Sequence, residues 1–274
     1  MPGGAPRPRP CYQGGMQPWE TVDRAKVAGG TELVLARRGE EWVVRNDGRT
    51  LMSSRQHGSE DALATLALER VERPGGARTV LIGGLGLGYT LRATLDRIGP
   101  DARAVVAEIS PELVAWNRGP VAHLAGRPLA DPRTRLQIGD VVARISEATG
   151  AFDAILLDVD NSPSSMVLAG NDRLYGPRGV RACAAALSAG GVLAVWSAGP
   201  DDPYLERLEK AGLAAQAVTV PARGVGGGGA RHVVFLGVKK AASPRRPGRG
   251  EPPAQSPRPP RGRAPRPAAP SRRR

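Results

Sequence analysis

The stretch "TVLIGGLGLGYTLRATL", residues 79 to 95, decides how this chain is read. A short apolar run stops in glycines at positions 83, 84, 86 and 88, and helix-like spacing follows. That order reads as a buried strand, a tight turn and a helix. Glycines at such a turn let the backbone come close to a ligand. Two phosphate loops are excluded. The spacing G-x-G-x-x-G fails from Gly84, where its last position is Tyr89, and from Gly86, where it is Leu91. No lysine follows as in a Walker loop. What stands is Gly84-x-Gly86-x-Gly88. The next strand, "ARAVVAE", closes in Glu108, twenty residues past Gly88. Its carboxylate suits the two hydroxyls of a ribose. The strand after that ends in Gly139-Asp140, where Asp140 is placed to accept from an adenine amino group. Together these suit an adenosine nucleoside without a pyrophosphate. Taken singly, each has a plainer alternative, a tight turn or a helix-capping acid.

Outward from this loop, strands and helices alternate. "SPELVAWNR" is predicted to open a helix with Ser110 as its N-cap and Pro111 in the first turn. "TRLQIGD" reads as a strand and "VVARISEA" as a helix. "FDAILLDVD" is apolar enough to be buried on both faces. "GPRGVRACAAAL", "GGVLAVWSA" and "DPYLERLEKAG" follow as helix, strand and helix. "AAQAVTVPA" and "RHVVFLGVKK" read as a hairpin joined by the glycine run 224–229. This predicts an α/β fold: a doubly wound, mostly parallel sheet of seven strands with an antiparallel last strand. Residues 17–57 look β-rich, with two or three short strands in hairpins and turns at Arg38-Gly39 and Asp47-Gly48. "SEDALATLALERV" has helical spacing, with Leu63, Leu66, Ala67 and Val71 on one face and Ser59 as N-cap. The expected organisation is a disordered tail (1–16), a small β segment (17–57), an α/β domain (58–240) and a disordered Arg/Pro-rich tail (241–274).

The formal net charge is +13, but ten arginines and one glutamate lie in residues 241–274. Residues 16–240 hold 27 basic and 25 acidic groups, so the folding part is close to neutral. Nucleic acid binding is therefore only a weak expectation, carried by the basic tail. That tail has almost no large apolar side chain whose burial could offset its ordering entropy. Two cysteines, Cys11 and Cys183, give neither a disulfide framework nor a metal-ligand spacing. The three histidines are scattered, and no metal is expected. No secretory leader and no membrane span are read, so a cytoplasmic location is expected.

On these residues the chain resembles the class I S-adenosylmethionine-dependent methyltransferase-like (Rossmann-like) fold, and within it the spermidine synthase (polyamine aminopropyltransferase) family. The class is carried by "GGLGLG", Glu108, "GD" at 139–140 and the closing hairpin. The family is carried by the β-rich front, by "LMSS…SEDALATLAL" and by "LLDVDNSP…LYGPRGVRACAAALSAGGVLAVW", over roughly residues 30–240. The resemblance implies transfer of an aminopropyl group from decarboxylated S-adenosylmethionine to a polyamine, in polyamine biosynthesis, without a metal. It implies binding of the nucleoside by Gly84, Gly86, Gly88, Glu108 and Asp140. Asp158 is implied as the catalytic base, and Glu60, Asp61, Asp160 and Tyr175 as residues facing the amine. A homodimer is implied by analogy.

Three motifs depart from the family pattern. Leu87 stands where the family's glycine loop usually carries an Asp that holds the amine of the co-substrate. Ser59-Glu60-Asp61 stands where the family has Tyr-Gln/His-Glu. The acidic loop, Asp158-Val-Asp160-Asn161-Ser-Pro163, is one residue longer, so the second family Asp matches either Asp160 or Asn161. The alternatives are a methyltransferase using S-adenosylmethionine itself, which Leu87 favours slightly, and a non-catalytic nucleoside-binding protein.

Overall fold

The computed structural model describes residues 17–26, 32–159, 172–223 and 229–241. Asp160, residues 224–228 of the glycine-rich run and both terminal stretches therefore lie outside the described residues.

The front of the chain forms an antiparallel sheet of four strands in sequence order, β1 (Glu20–Lys26), β2 (Glu32–Arg38), β3 (Glu41–Asn46) and β4 (Arg49–Ser53). The sequence suggested two or three. β1, "ETVDRAK", is a mostly exposed edge strand with no alternating apolar face to betray it. The expected turns are real: Gly39, Asp47 and Gly48 adopt positive φ, the left-handed conformation a tight hairpin needs.

Helix α1 (Gly58–Leu68) leads into β5 (Thr79–Gly83), α2 (Tyr89–Leu95), β6 (Arg103–Glu108), α3 (Pro111–Arg118), a 3₁₀ turn (Pro128–Ala130), β7 (Thr134–Ile138), α4 (Val141–Ser146) and β8 (Phe152–Leu157). Then come α5 (Asp172–Tyr175), α6 (Pro177–Ala186), β9 (Leu187–Ser197), α7 (Asp202–Lys210), β10 (Leu213–Pro221) and β11 (Arg231–Lys239). The second sheet has the order β10-β11-β9-β8-β5-β6-β7. Five strands run parallel from β9 to β7, and β11 lies antiparallel between β9 and β10. The seven-stranded doubly wound sheet and its antiparallel last strand are thus as the sequence predicts.

All six residues of β8 are buried, because the sheet is covered on both faces. Successive side chains go to opposite sides. Ala154 and Leu156 pack with Leu63 and Ala67 of α1 and Leu91 and Leu95 of α2. Ile155 and Leu157 pack with Ile145 of α4, Val180 of α6 and Leu208 of α7. A third apolar cluster joins the small sheet to the domain: Leu33, Leu35, Trp42 and Val44 meet Leu87, Leu113 and Trp116. Trp116 Nε1 also donates to Asp23 of β1 at 2.7 Å. At the other end of the sheet, the buried Asp153 accepts from the N–H groups of Arg78 and Thr79, the Ser188 hydroxyl and Arg73. These bonds outweigh the upward push of burial and hold its pKa below the usual carboxylate range.

One cap differs from expectation. The residue before α1 is His57, while Ser59 lies inside the first turn, fully buried, with its hydroxyl turned to Glu60. Ser110 caps α3 as expected, accepting from Leu113 N at 3.2 Å. Among the described residues no helix is long and apolar enough to cross a membrane.

Candidate active site

The strand order reverses between β5 and β8, and in such sheets the ligand crevice opens beyond the strand ends at that point. Gly84 continues from β5 with φ +87°; a Cβ there would lie 2.4 Å from the carbonyl oxygen of Asp158. Only glycine permits this approach, which fixes the loop after β5 against the end of β8. Gly86 and Gly88 also have positive φ, +53° and +87°, and Gly88 immediately precedes α2.

Glu108, 5% exposed, closes β6 as expected. One carboxylate oxygen accepts from Leu85 N at 2.8 Å and the other from Ser110 N at 2.8 Å. Glu108 thus pins the glycine loop to the turn before α3. Each oxygen keeps a further lone pair. Asp140, the N-cap of α4, accepts from Val142 N at 2.8 Å. Beside these acids, Ile109 and Ile138 are strongly exposed, at 67% and 60%.

On the β8 side of the glycine loop a cavity of about 240 Å³ opens. Leu85, Gly86 and Leu87 form one wall, Tyr89 and Thr90 of α2 another, and Asn46, Met52 and Ser53 of the small sheet a third. Asp158, Val159, Glu60, Leu51 and Trp196 complete it. The Thr90 hydroxyl donates to Asp158 Oδ2 at 3.1 Å, and the Ser59 hydroxyl to Glu60 Oε2 at 2.6 Å. Asp158 therefore holds a hydroxyl donor from the first turn of α2, and Glu60 one from its own neighbour in the first turn of α1. Burial pushes Asp158 up to about 6 against the Thr90 bond. Burial and the nearby Asp158 charge push Glu60 up to about 7. Two carboxyls that share a site do not both ionise easily, so near neutrality the pair retains a proton. Such a pair can take a proton from a neutral amine and attract its cationic ends.

Asp158, expected as the base, and Glu60, of the residues expected to face the amine, line this cavity. Asp61 lies next to it, 2.9 Å from His57 Nδ1, with the His57 ring stacked on Tyr89 at 4.0 Å. Tyr175 is in the core, edge-on to Tyr204 at 6.0 Å between ring centres, and does not line the cavity. Among the described residues no group of three or more His, Cys, Asp or Glu could hold a metal ion.

No family model matches the chain, and no curated protein does. Solved structures do. The spermidine synthase of Thermotoga maritima has a TM-score of 0.65 at 18% identity, over 81% of this chain and 74% of that one. A spermidine synthase in complex with the transition state analogue AdoDATO gives 0.66 at 17%, over 81% and 74%. A probable spermidine synthase from Corynebacterium glutamicum gives 0.56 at 16%, over 80% and 79%. This chain has the spermidine synthase fold.

Within the spermidine synthase fold, the sequence reading missed four groups. Thr90, Tyr89, Trp196 and the Met52–Ser53 edge of the small sheet all line the cavity. Thr90 was the most accessible of these, as a hydroxyl in the first turn after a glycine loop. Tyr89 stands beside it, while Trp196 and the Met52–Ser53 edge come from remote strands and left no local signal. Leu87 is 4% exposed and packs into the cluster that docks the small sheet. The spermidine synthase fold here thus carries an apolar joint where an acid was looked for.

Proposed function

We propose that the protein is a transferase of the aminopropyltransferase kind, moving a group from an adenosyl sulfonium to an amine. The observation that carries the reading is the pair Asp158 and Glu60, facing one cavity beside the glycine loop. The likeness to a spermidine synthase solved with AdoDATO supports an adenosyl co-substrate, with decarboxylated S-adenosylmethionine as the donor. Gly84, Gly86 and Gly88 leave room for the nucleoside. Glu108 offers its remaining lone pairs to the ribose hydroxyls, Asp140 accepts from the adenine amino group, and the exposed Ile109 and Ile138 offer an apolar rest for the base.

In the step itself, the amine nitrogen attacks the carbon beside the sulfonium. A C–N bond forms, the C–S bond breaks, and its electron pair stays on sulfur as a neutral thioether. The proton lost by the amine goes to the Asp158 carboxylate, which Thr90 orients. Glu60 adds negative potential for a cationic amine. Closeness and alignment contribute much of the rate.

One observation favours a second reading. No acid stands among Leu85, Gly86 and Leu87 to hold an amino group on the transferred chain, and Leu87 is committed to the core. This favours a methyltransferase that uses S-adenosylmethionine. Calorimetry with the two nucleosides separates the readings. Tighter binding of the decarboxylated form supports aminopropyl transfer. Preference for S-adenosylmethionine supports methyl transfer.

A further inference from the structure

A hydrogen-bonded chain links β11 to the first turn of α1, and the transfer step leaves it unused. His232 of β11, paired with Val220 of β10, has Nδ1 2.9 Å from the Ser59 hydroxyl. That hydroxyl is 2.6 Å from Glu60 Oε2. Proton inventory gives the chain a direction. The Ser59 hydroxyl gives its one proton to Glu60 Oε2, so its oxygen is left to accept, and the chain puts the N–H on His232 Nδ1. The donor is well held. The His232 ring stands edge-on to Trp196, with centroids 4.6 Å apart at 68°, and Trp196 is itself part of the cavity wall. Gly58 N donates to Ala222 O at 2.9 Å, tying the start of α1 to the β10–β11 hairpin.

We propose that His232 is a positioning residue: it donates to Ser59, Ser59 donates to Glu60, and the chain fixes the Glu60 carboxylate at the cavity wall. The proposal rests on the transfer reading only for what Glu60 does to an amine; the chain itself is a property of the protein without ligand. Without it, Glu60 is free to turn away from Asp158 or to keep a proton. With it, one oxygen is held and the ionised form is favoured. Burial lowers the pKa of His232, so the ring is neutral near pH 7 and has one N–H to give. Among the described residues, the titratable groups that act on Glu60 or are acted on by it are Asp158 beyond β8, His57 before its own helix and Tyr89 from α2. Beside His232 on its own strand is the exposed Arg231.

The test follows the Glu60 side-chain carboxyl by carbon-13 NMR in the ligand-free full chain, titrated from pH 4 to 9, with Glu60→Gln to assign the signal. His232→Phe keeps a ring against Trp196 but cannot donate. It should raise the Glu60 midpoint by about half a pH unit or more, as expected when support for a charged acceptor weakens. His232→Gln, which still carries a donor, should restore most of the shift. Ser59→Ala should raise the midpoint too, and adding His232→Phe should then change nothing more. An unmoved midpoint in His232→Phe, or effects of Ser59→Ala and His232→Phe that simply add, would overturn the proposal. Should His232→Phe fail to fold, an unmoved midpoint in Ser59→Ala overturns it equally. Transfer to putrescine is measured alongside. If the wild type transfers to no amine while the titration behaves as stated, the transfer reading fails and the positioning role stands.

Discussion

At Asp158 and Glu60, burial works against ionisation, and the effect reaches stability as well as chemistry. Both carboxyls are raised in the folded chain, to about 6 and about 7, above ordinary values of 3.8 and 4.5. The folded state thus binds protons that the unfolded state has released between about pH 4 and 7. The pair's contribution is favourable below that window and is lost as pH rises through it. Glu60→Gln removes one of the two acids. It should therefore melt higher than wild type at pH 8, by on the order of a few degrees, with the gap closing by pH 5. Equal melting at pH 8 would mean that Glu60 ionises without cost. The same protons govern catalysis: a base must be ionised to act, so transfer should rise with pH across the same window. Glu108 behaves differently. From its position alone it reads as a ribose-binding acid whose loss leaves stability almost unchanged. Its two bonds to Leu85 N and Ser110 N alter that expectation. Glu108→Ala leaves two backbone N–H groups without their acceptor and should cost about 2–4 kcal/mol of stability along with nucleoside affinity. Denaturant melts with and without nucleoside separate the two losses; an unchanged midpoint in the ligand-free protein would deny Glu108 its structural part.

Among the elements, those carrying the parallel sheet were legible because their signals are local. "FDAILLDVD" is apolar at every position from Ala154 to Leu157, and the structure buries that strand on both faces. Ser110-Pro111 opens a helix by the capping rule, and does so here. Elements whose role depends on what they touch were not legible. The edge strand β1 carries no apolar period, since its neighbour β2 supplies the contact surface. The cavity brings Met52, Glu60, Thr90, Asp158 and Trp196 to one place from five separate elements and loops, and no spacing rule relates them. Asp140 could be placed at a strand end by pattern, with a helix-capping acid as its plainer alternative, and it does cap α4 through Val142 N. Leu87 shows the same limit: as one position in a glycine loop it marks a missing acid, while in the fold it is the joint between the small sheet and the domain. Leu87→Asp would place a charge among Leu33, Trp42, Val44 and Trp116 and should destabilise the protein by about 2–5 kcal/mol. Hydrogen exchange should quicken in β2 and β3 before it quickens in β5 and β8. A variant as stable as wild type would mean that the side chain at residue 87 can leave that cluster.

For the whole molecule, the uneven charge separates a near-neutral folding part from an arginine-rich end. Because residues 243–274 contain almost no large apolar side chain, truncation after Ala242 should leave the melting temperature unchanged and remove any salt-sensitive affinity for nucleic acid. A drop of several degrees would assign that segment a structural part. The fold sets Glu108 and Asp140, at the ends of β6 and β7, on one side of the glycine loop and an acidic cavity on the other. That adjacency is what makes group transfer between a sulfonium and an amine the function argued for. It is tested most directly by single-turnover transfer from decarboxylated S-adenosylmethionine to putrescine or spermidine, at saturating nucleoside, for the wild type and Asp158→Asn. Wild type should form the aminopropylated amine and the thioether in equal amounts. Asp158→Asn should fold, bind the nucleoside nearly as well, and react slower by on the order of 10²–10⁴. Wild-type speed in Asp158→Asn would remove Asp158 as the base, and a wild type that binds the nucleoside yet transfers to neither amine would end the aminopropyltransferase reading.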